Sequence, residues 1–230
     1  MKEILSNSLF FGVTISVLAY ELGVLLKKKW KIGLLNPLLI AIAAVIIVLV
    51  AFHIDYEDYN EGAKYLSYLL TPATVCLAIP LYEQVEMLKQ NWRAIIAGIV
   101  SGVITSALCI LAFSMIFGLD HEMYVTLLPK SITTAIGMGM SEELGGIVTI
   151  TVAAIVITGV LGNVLAEVTC RLFGVSEPVA KGIGIGTAAH AIGTAKAMEM
   201  GEIEGAMSSL SIAVAGILTV IAGSFFSGYY

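Results

Sequence analysis

Long apolar windows constrain this chain more than any other feature. The clearest run over residues 8–26, 37–52, 92–117, 147–173 and 206–226, and as helices they approach or exceed the roughly 20 residues that span about 30 Å of hydrocarbon. Backbone inside a bilayer must satisfy its own hydrogen bonds, and unbroken apolar runs do so as helices. The expected fold class is therefore all-α, a polytopic helical membrane protein. Composition agrees: 58% of residues are hydrophobic, 13% are charged and the mean hydropathy is +0.96, whereas an ordinary globular domain has about 25% charged residues. The 230 residues hold one domain with seven to eight crossings. The formal net charge is −5, with the few basic residues confined to loops and segment ends, so there is no basic footprint for nucleic acid.

Cys76, Cys109 and Cys170 are far apart in apolar surroundings and form no CxxC or Cys/His spacing. They read as small hydrophobes, with no disulfide framework, metal or cofactor implied. The first segment lacks a basic leader region and a small-x-small cleavage site, so it is expected to be a retained helix.

Lysine and arginine in short loops set orientation. The run KKKWK (27–31) should be cytoplasmic, placing the N-terminus outside. The acidic loop HIDYEDYNEGAK (53–64) then faces out, Lys89 and Arg93 fall inside, and the loop at 118–123 falls outside. The alternation continues through Arg171 and Lys181 only if one later segment enters and leaves on the same side. The expectation is seven crossings plus one re-entrant segment.

Three stretches resemble one another: LLTPATVCLAIPLYEQ (69–84), TLLPKSITTAIGMGMSEE (126–143) and GIGTAAHAIGTAKAME (184–199). Their Ala-Ile pairs fall at 78–79, 135–136 and 191–192, and each stretch precedes a long apolar helix carrying Gly102, Gly159 or Gly216, 57 residues apart. The expected organisation is a single transmembrane domain over 1–230. It has two N-terminal helices (1–60) and three repeat-like units of broken segment plus long helix at 61–118, 119–174 and 181–230.

Within the repeats, Pro72, Pro80 and Pro129 with Gly137, Gly186 and Gly193 oppose continuous helix. Backbone freed at membrane depth must face protein or a polar cavity, and broken segments at corresponding positions point to a transporter site. The Gly98-x-x-x-Gly102 spacing suits close helix packing without identifying a partner.

Lys130, directly after Pro129, precedes Ser131, Thr133 and Thr134. Deep in a bilayer its ammonium costs at least about 2.5 kcal/mol and calls for an anion; at a helix end it would simply snorkel. His190 lies between Thr187 and Thr194, three residues before and four after, on one helical face. It either hydrogen-bonds substrate and carries a proton or bonds a carbonyl across helices. Thr71 and Thr74 bracket Pro72 and are candidates by position, or else bond back to their own helix. Lys196 should snorkel or pair with Glu199 or Glu202, and Glu167 with Arg171 is an i,i+4 ion pair. There is no Walker loop, HExxH or nucleophile with a convincing base, so no enzyme is expected.

The blocks PATVCLAIPLYEQ, LPKSITTAIGMGMSEELGG and GTAAHAIGTAKAMEMGEIEGAMSS resemble the LrgB/CidB family of antiholin-like and holin-like membrane proteins over most of residues 8–228. Two departures are Ala135, where proline would follow the paired threonines, and Ala189, where serine is usual. The resemblance implies two pictures. Plant relatives fused to an LrgA-like half move glycolate and glycerate across the plastid envelope, and bacterial relatives are linked to pyruvate and similar acids. The other picture is modulation of murein hydrolase activity and cell lysis with an LrgA-like small membrane partner.

Broken segments carrying a Lys and a His suit a carrier of small hydroxy- or keto-acids better than a simple holin. The expected function is proton-coupled secondary transport of monocarboxylates in a bacterial or archaeal plasma membrane, by a homo-oligomer working with an LrgA-like partner. The lysis-modulating picture stands as the alternative.

Overall fold

The computed structural model describes residues 10–30, 37–76 and 78–230, except the side chains of residues 70, 71, 74, 80 and 81. The candidates Thr71 and Thr74, the Pro80 ring and the end of the KKKWK run (residue 31) lie outside that description. Among the described residues there is no strand, and eleven α-helices carry the fold. The chain divides into two compact units after Cys76, inside the first of the three expected repeats.

The first unit contains α1 (Phe11–Trp30), α2 (Pro37–Phe52), α3 (Tyr56–Tyr68) and α4 (Leu70–Cys76). Small residues let its backbones approach: a Cβ on Gly23 would lie 2.8 Å from the Pro37 Cα, and Gly12 lies directly on the Tyr59–Ala63 backbone. Ala19, Ala41 and Val45 form the buried centre, and the Ser16 hydroxyl meets the Tyr59 hydroxyl at 2.8 Å. The acidic stretch expected as a loop at 53–64 is mostly α3. Glu57 and Asp58 sit in its first turn, where carboxylates favour the helix dipole.

The second unit contains α5 (Ala78–Glu83), α6 (Val85–Phe117), α7 (His121–Leu127), α8 (Thr134–Glu143), α9 (Val148–Leu172), α10 (Pro178–Met200) and α11 (Glu202–Phe226). Among the described residues, three helices, α6, α9 and α11 with its C-terminal 3-10 turn, are long and apolar enough to cross a membrane. The 33 residues of α6 extend about 50 Å at 1.5 Å per residue. It stops at Gly118, whose φ of 61° suits glycine, and Asp120 opens α7 by accepting from the Met123 N–H at 2.8 Å. At 7 and 10 residues, neither α7 nor α8 is long enough to cross alone. The central core joins α6, α10 and α11 through Ile95, Ile99, Ile183, Met207 and Ala215.

Repeats two and three share an order: broken segment, then a 25-residue helix. Thr133, where α8 starts from extended backbone, and His190, the one non-helical residue inside α10, are 57 positions apart. Packing between the copies is reciprocal. Gly216 of α11 faces Ile136 of α8, and its counterpart Gly159 of α9 faces Ile192 of α10, with a Cβ on either glycine 2.9 Å from the isoleucine Cδ1. Likewise Gly223 packs against Leu128 and Met140, while their counterparts Ala166, Ile185 and Ala197 form one buried cluster.

Candidate functional site

Two breaks converge from different repeats. The first is the turn at 128–133 between α7 and α8, where Pro129 cannot supply an N–H. Its backbone closes through Lys130 N–H to the Leu127 carbonyl at 3.1 Å. This turn half-buries Lys130 and buries Ser131. The Lys130 Nζ donates to Ser131 Oγ at 2.8 Å and to Ser106 Oγ of α6 at 3.4 Å, and the two serine hydroxyls are 3.3 Å apart. Thr133 and Thr134, at the head of α8, are half-buried.

Thr187 of α10 comes to the same place. It lines, with Ser106 and Ser131, an enclosed cavity of about 10 Å³. Thr187 is 6% exposed and its hydroxyl has no hydrogen-bond partner. Gly102 makes the approach possible, since a Cβ there would meet the Thr187 Cγ2 at 2.6 Å. Gly98 faces Ile183 in the same way, so the partner of the Gly98–Gly102 spacing is α10.

The second break is at His190 itself, with φ 42° and ψ −140°. Such backbone costs a non-glycine residue about 1–3 kcal/mol and persists only where its surroundings fix it. They do. The imidazole Nε2 lies 3.0 Å from the Ile155 carbonyl; a carbonyl can only accept, so Nε2 carries the hydrogen. Asn163 donates from Nδ2 to the Ile192 carbonyl at 2.6 Å, tying α9 to α10 two residues beyond the break. Thr194 donates to the His190 carbonyl at 2.9 Å and meets Ser208 Oγ of α11 at 2.6 Å. A Cβ on Gly159 would lie 2.7 Å from the imidazole Cε1, so only glycine at 159 leaves room for the ring.

The candidates thus fall into two groups. Ser131 and Thr187 line one cavity, and Lys130 is bonded to its Ser131 and Ser106 hydroxyls. His190 and Thr194 are engaged with backbone and Ser208, an arrangement that holds α10 in its broken shape. Three glycines expected to break helices do not. Gly137, Gly186 and Gly193 lie within helices, and their missing side chains admit neighbours instead. A Cβ on Gly186 would lie 2.8 Å from the Ser208 Cα, one on Gly193 2.6 Å from the Ala189 Cβ, and Gly137 lies against Ile155. Pro72 is the third residue of α4, in the first turn, where proline forfeits no intrahelical bond. Lys196 pairs with Glu199 at 3.2 Å, as anticipated, but also with Glu167 of α9 at 2.5 Å; Glu167, for which the sequence suggested Arg171, thus reaches across to α10. Ser106, Thr219 and Asn163 were not singled out in the sequence. Each sits inside a long apolar helix where a lone polar residue ordinarily bonds to its own helix.

A helical membrane protein with paired broken segments meeting at a small hydroxyl-bearing cavity, with a lysine bonded to two of its serines, is the class that this architecture defines. The LrgB-like family model matches residues 16–228. Over 213 residues, 92% of this chain and 93% of the relative, the sequence is 40% identical to the antiholin-like protein LrgB of Bacillus cereus (strain B4264). It matches the antiholin-like protein LrgB of Bacillus anthracis (strain A0248) to the same extent. No solved structure matches. The chain belongs to the LrgB-like family.

Proposed function

We propose that the chain is a secondary transporter of small monocarboxylates such as glycolate, glycerate or pyruvate, working in a bacterial plasma membrane with its N-terminus outside. The observation that supports this reading is the Lys130 ammonium, held on Ser131 and Ser106 beside an enclosed cavity that the unpaired Thr187 hydroxyl also lines. An ammonium in apolar surroundings needs an anion, and hydroxyls around it supply hydrogen bonds to carboxylate oxygens. Thr133, Thr134, His190 and Thr194 complete the binding region as the breaks move, and His190 carries a proton once its ring leaves the Ile155 carbonyl. Thr71 and Thr74 belong to the corresponding segment of the first repeat. The carrier works as a homo-oligomer with an LrgA-like small membrane protein.

The names of the relatives favour a second reading. They are called antiholin-like, and nothing in those names refers to transport. On this reading the chain restrains cell lysis through an LrgA-like partner by modulating murein hydrolase activity. The test is reconstitution in liposomes, alone and with an LrgA-like partner, with uptake of radiolabelled glycolate, glycerate and pyruvate measured beside Lys130→Ala. Saturable uptake lost in the variant is expected. Release of a large trapped dye without saturable uptake would sink the carrier reading and leave the second.

A further inference from the structure

The cavity beside Lys130 holds more hydroxyls than the breaks supply. Ser106 of α6 and Thr219 of α11, both from long helices, line it together with Ser131 and Thr187. The rest of its lining is apolar and includes no carboxylate. Lys130 is joined to the cavity through Ser131 at 2.8 Å and Ser106 at 3.4 Å. The Thr187 hydroxyl, buried on a residue 6% exposed, has no partner. A hydroxyl left in that state is destabilising, so its position asks for a ligand atom.

One ammonium, four hydroxyls and no acid form a donor-rich set. A metal cation would meet an ammonium and no counter-charge. An ammonium acts as a point charge on one oxygen rather than a two-pronged clamp; the Thr187 and Thr219 hydroxyls, and whichever of Ser106 and Ser131 does not donate to the other, can donate to the second oxygen and to a neighbouring hydroxyl or keto group. Lys130 is the one cation bonded to the cavity's hydroxyls while the His190 ring stays on the Ile155 carbonyl, so in that state a second carboxylate on the ligand would be buried unpaired. The volume of about 10 Å³ is room for about one water, so an acid enters only as the two broken segments part.

We propose that Ser106 and Thr219 are ligand-binding residues, which with Lys130, Ser131 and Thr187 form a carboxylate subsite selective for small aliphatic monoanions over dianions. This rests on the carrier reading above and names residues and a selectivity that it lacks.

The test is equilibrium binding of radiolabelled glycolate and pyruvate to the purified full-length protein in lipid nanodiscs, with succinate as competitor. The variants are Ser106→Ala and Thr219→Val, the hydroxyl-keeping Ser106→Thr and Thr219→Ser, and a control, Ser101→Ala. Ser101 lies exposed on the same helix as Ser106 and bonds the Gly98 carbonyl. Hydrogen bonds to a charged group predict a roughly tenfold or greater rise in Kd for Ser106→Ala and for Thr219→Val. Wild-type affinity is expected in the control, near-wild-type affinity in the hydroxyl-keeping pair, and succinate should not compete.

Wild-type affinity in Ser106→Ala and Thr219→Val, with binding abolished by Lys130→Ala, overturns the assignment and leaves the carrier reading intact. Loss of affinity that tracks a lowered unfolding midpoint and is not restored by the hydroxyl-keeping variants marks a structural role and overturns it too. Effective competition by succinate removes the selectivity. No binding of either acid by folded wild type overturns the assignment and the carrier reading together.

Discussion

Thr187 and His190 are three residues apart, and each departs from what stability alone would select. The Thr187 hydroxyl is buried without a partner, so removing it relieves a cost rather than creating one. Thr187→Val is expected to unfold at the wild-type denaturant midpoint or to be more stable by about 1 kcal/mol, while glycolate uptake falls; a drop in stability would show that the hydroxyl is satisfied. Asn163 carries the opposite expectation. Asn163→Leu removes the bond to the Ile192 carbonyl at 2.6 Å, and should cost about 0.5–1.5 kcal/mol in denaturant unfolding. Lys130, Thr187 and His190 were legible in the sequence because a polar group beside a break in an apolar chain is expensive enough to need a reason. Ser106, Thr219 and Asn163 were not. One hydroxyl or amide per helical face is ordinary in an apolar helix; only the three-dimensional meeting of α6 and α11 brings Ser106 and Thr219 to one cavity, and only the packing of α9 on α10 gives Asn163 its partner.

Breaks at the level of whole helices were easier to foresee than their causes. Pro129 interrupts the chain where expected, since a missing N–H acts locally and needs no tertiary partner. The break in α10 falls on a histidine rather than on any of its glycines, because tertiary bonds from α9 fix His190 in backbone that glycine would adopt more readily. Glycine has two uses, freedom and thinness, and the sequence does not distinguish them. Gly186 shows the second use: its hydrogen faces the Ser208 backbone of α11. Gly186→Leu should pry α10 from α11, costing about 1–3 kcal/mol or more from overpacking, read as a lower melting temperature in detergent. Wild-type melting would mean the two helices are not held as described. The acidic stretch at 53–64 departs from a loop for a related reason. Its polarity suggested a loop, yet Gly62 and Tyr59 pack into the first unit and support a helix there.

At the scale of the molecule, the all-helical class followed from window length alone, whereas the crossing number depends on how short elements such as α7 and α8 are used. Orientation is directly measurable. In a background with the three native cysteines replaced by alanine, Lys89→Cys should react with an impermeant maleimide only from the cytoplasmic side and Leu119→Cys only from outside; the reverse pattern would overturn the N-out arrangement. The reciprocal packing of repeats two and three has its own consequence. Each copy's long helix grips the other copy's broken segment, as Gly216 with Ile136 and Gly159 with Ile192 show, so the association is written on both partners. The polypeptide link between them, the exposed turn after Gly174, is then a convenience rather than a requirement. Cut there and produced as two separately encoded pieces, 1–174 and 175–230, the protein should reassemble by complementation, with differently tagged halves co-purifying from one membrane. A cell could inherit such a molecule as two genes and still build it.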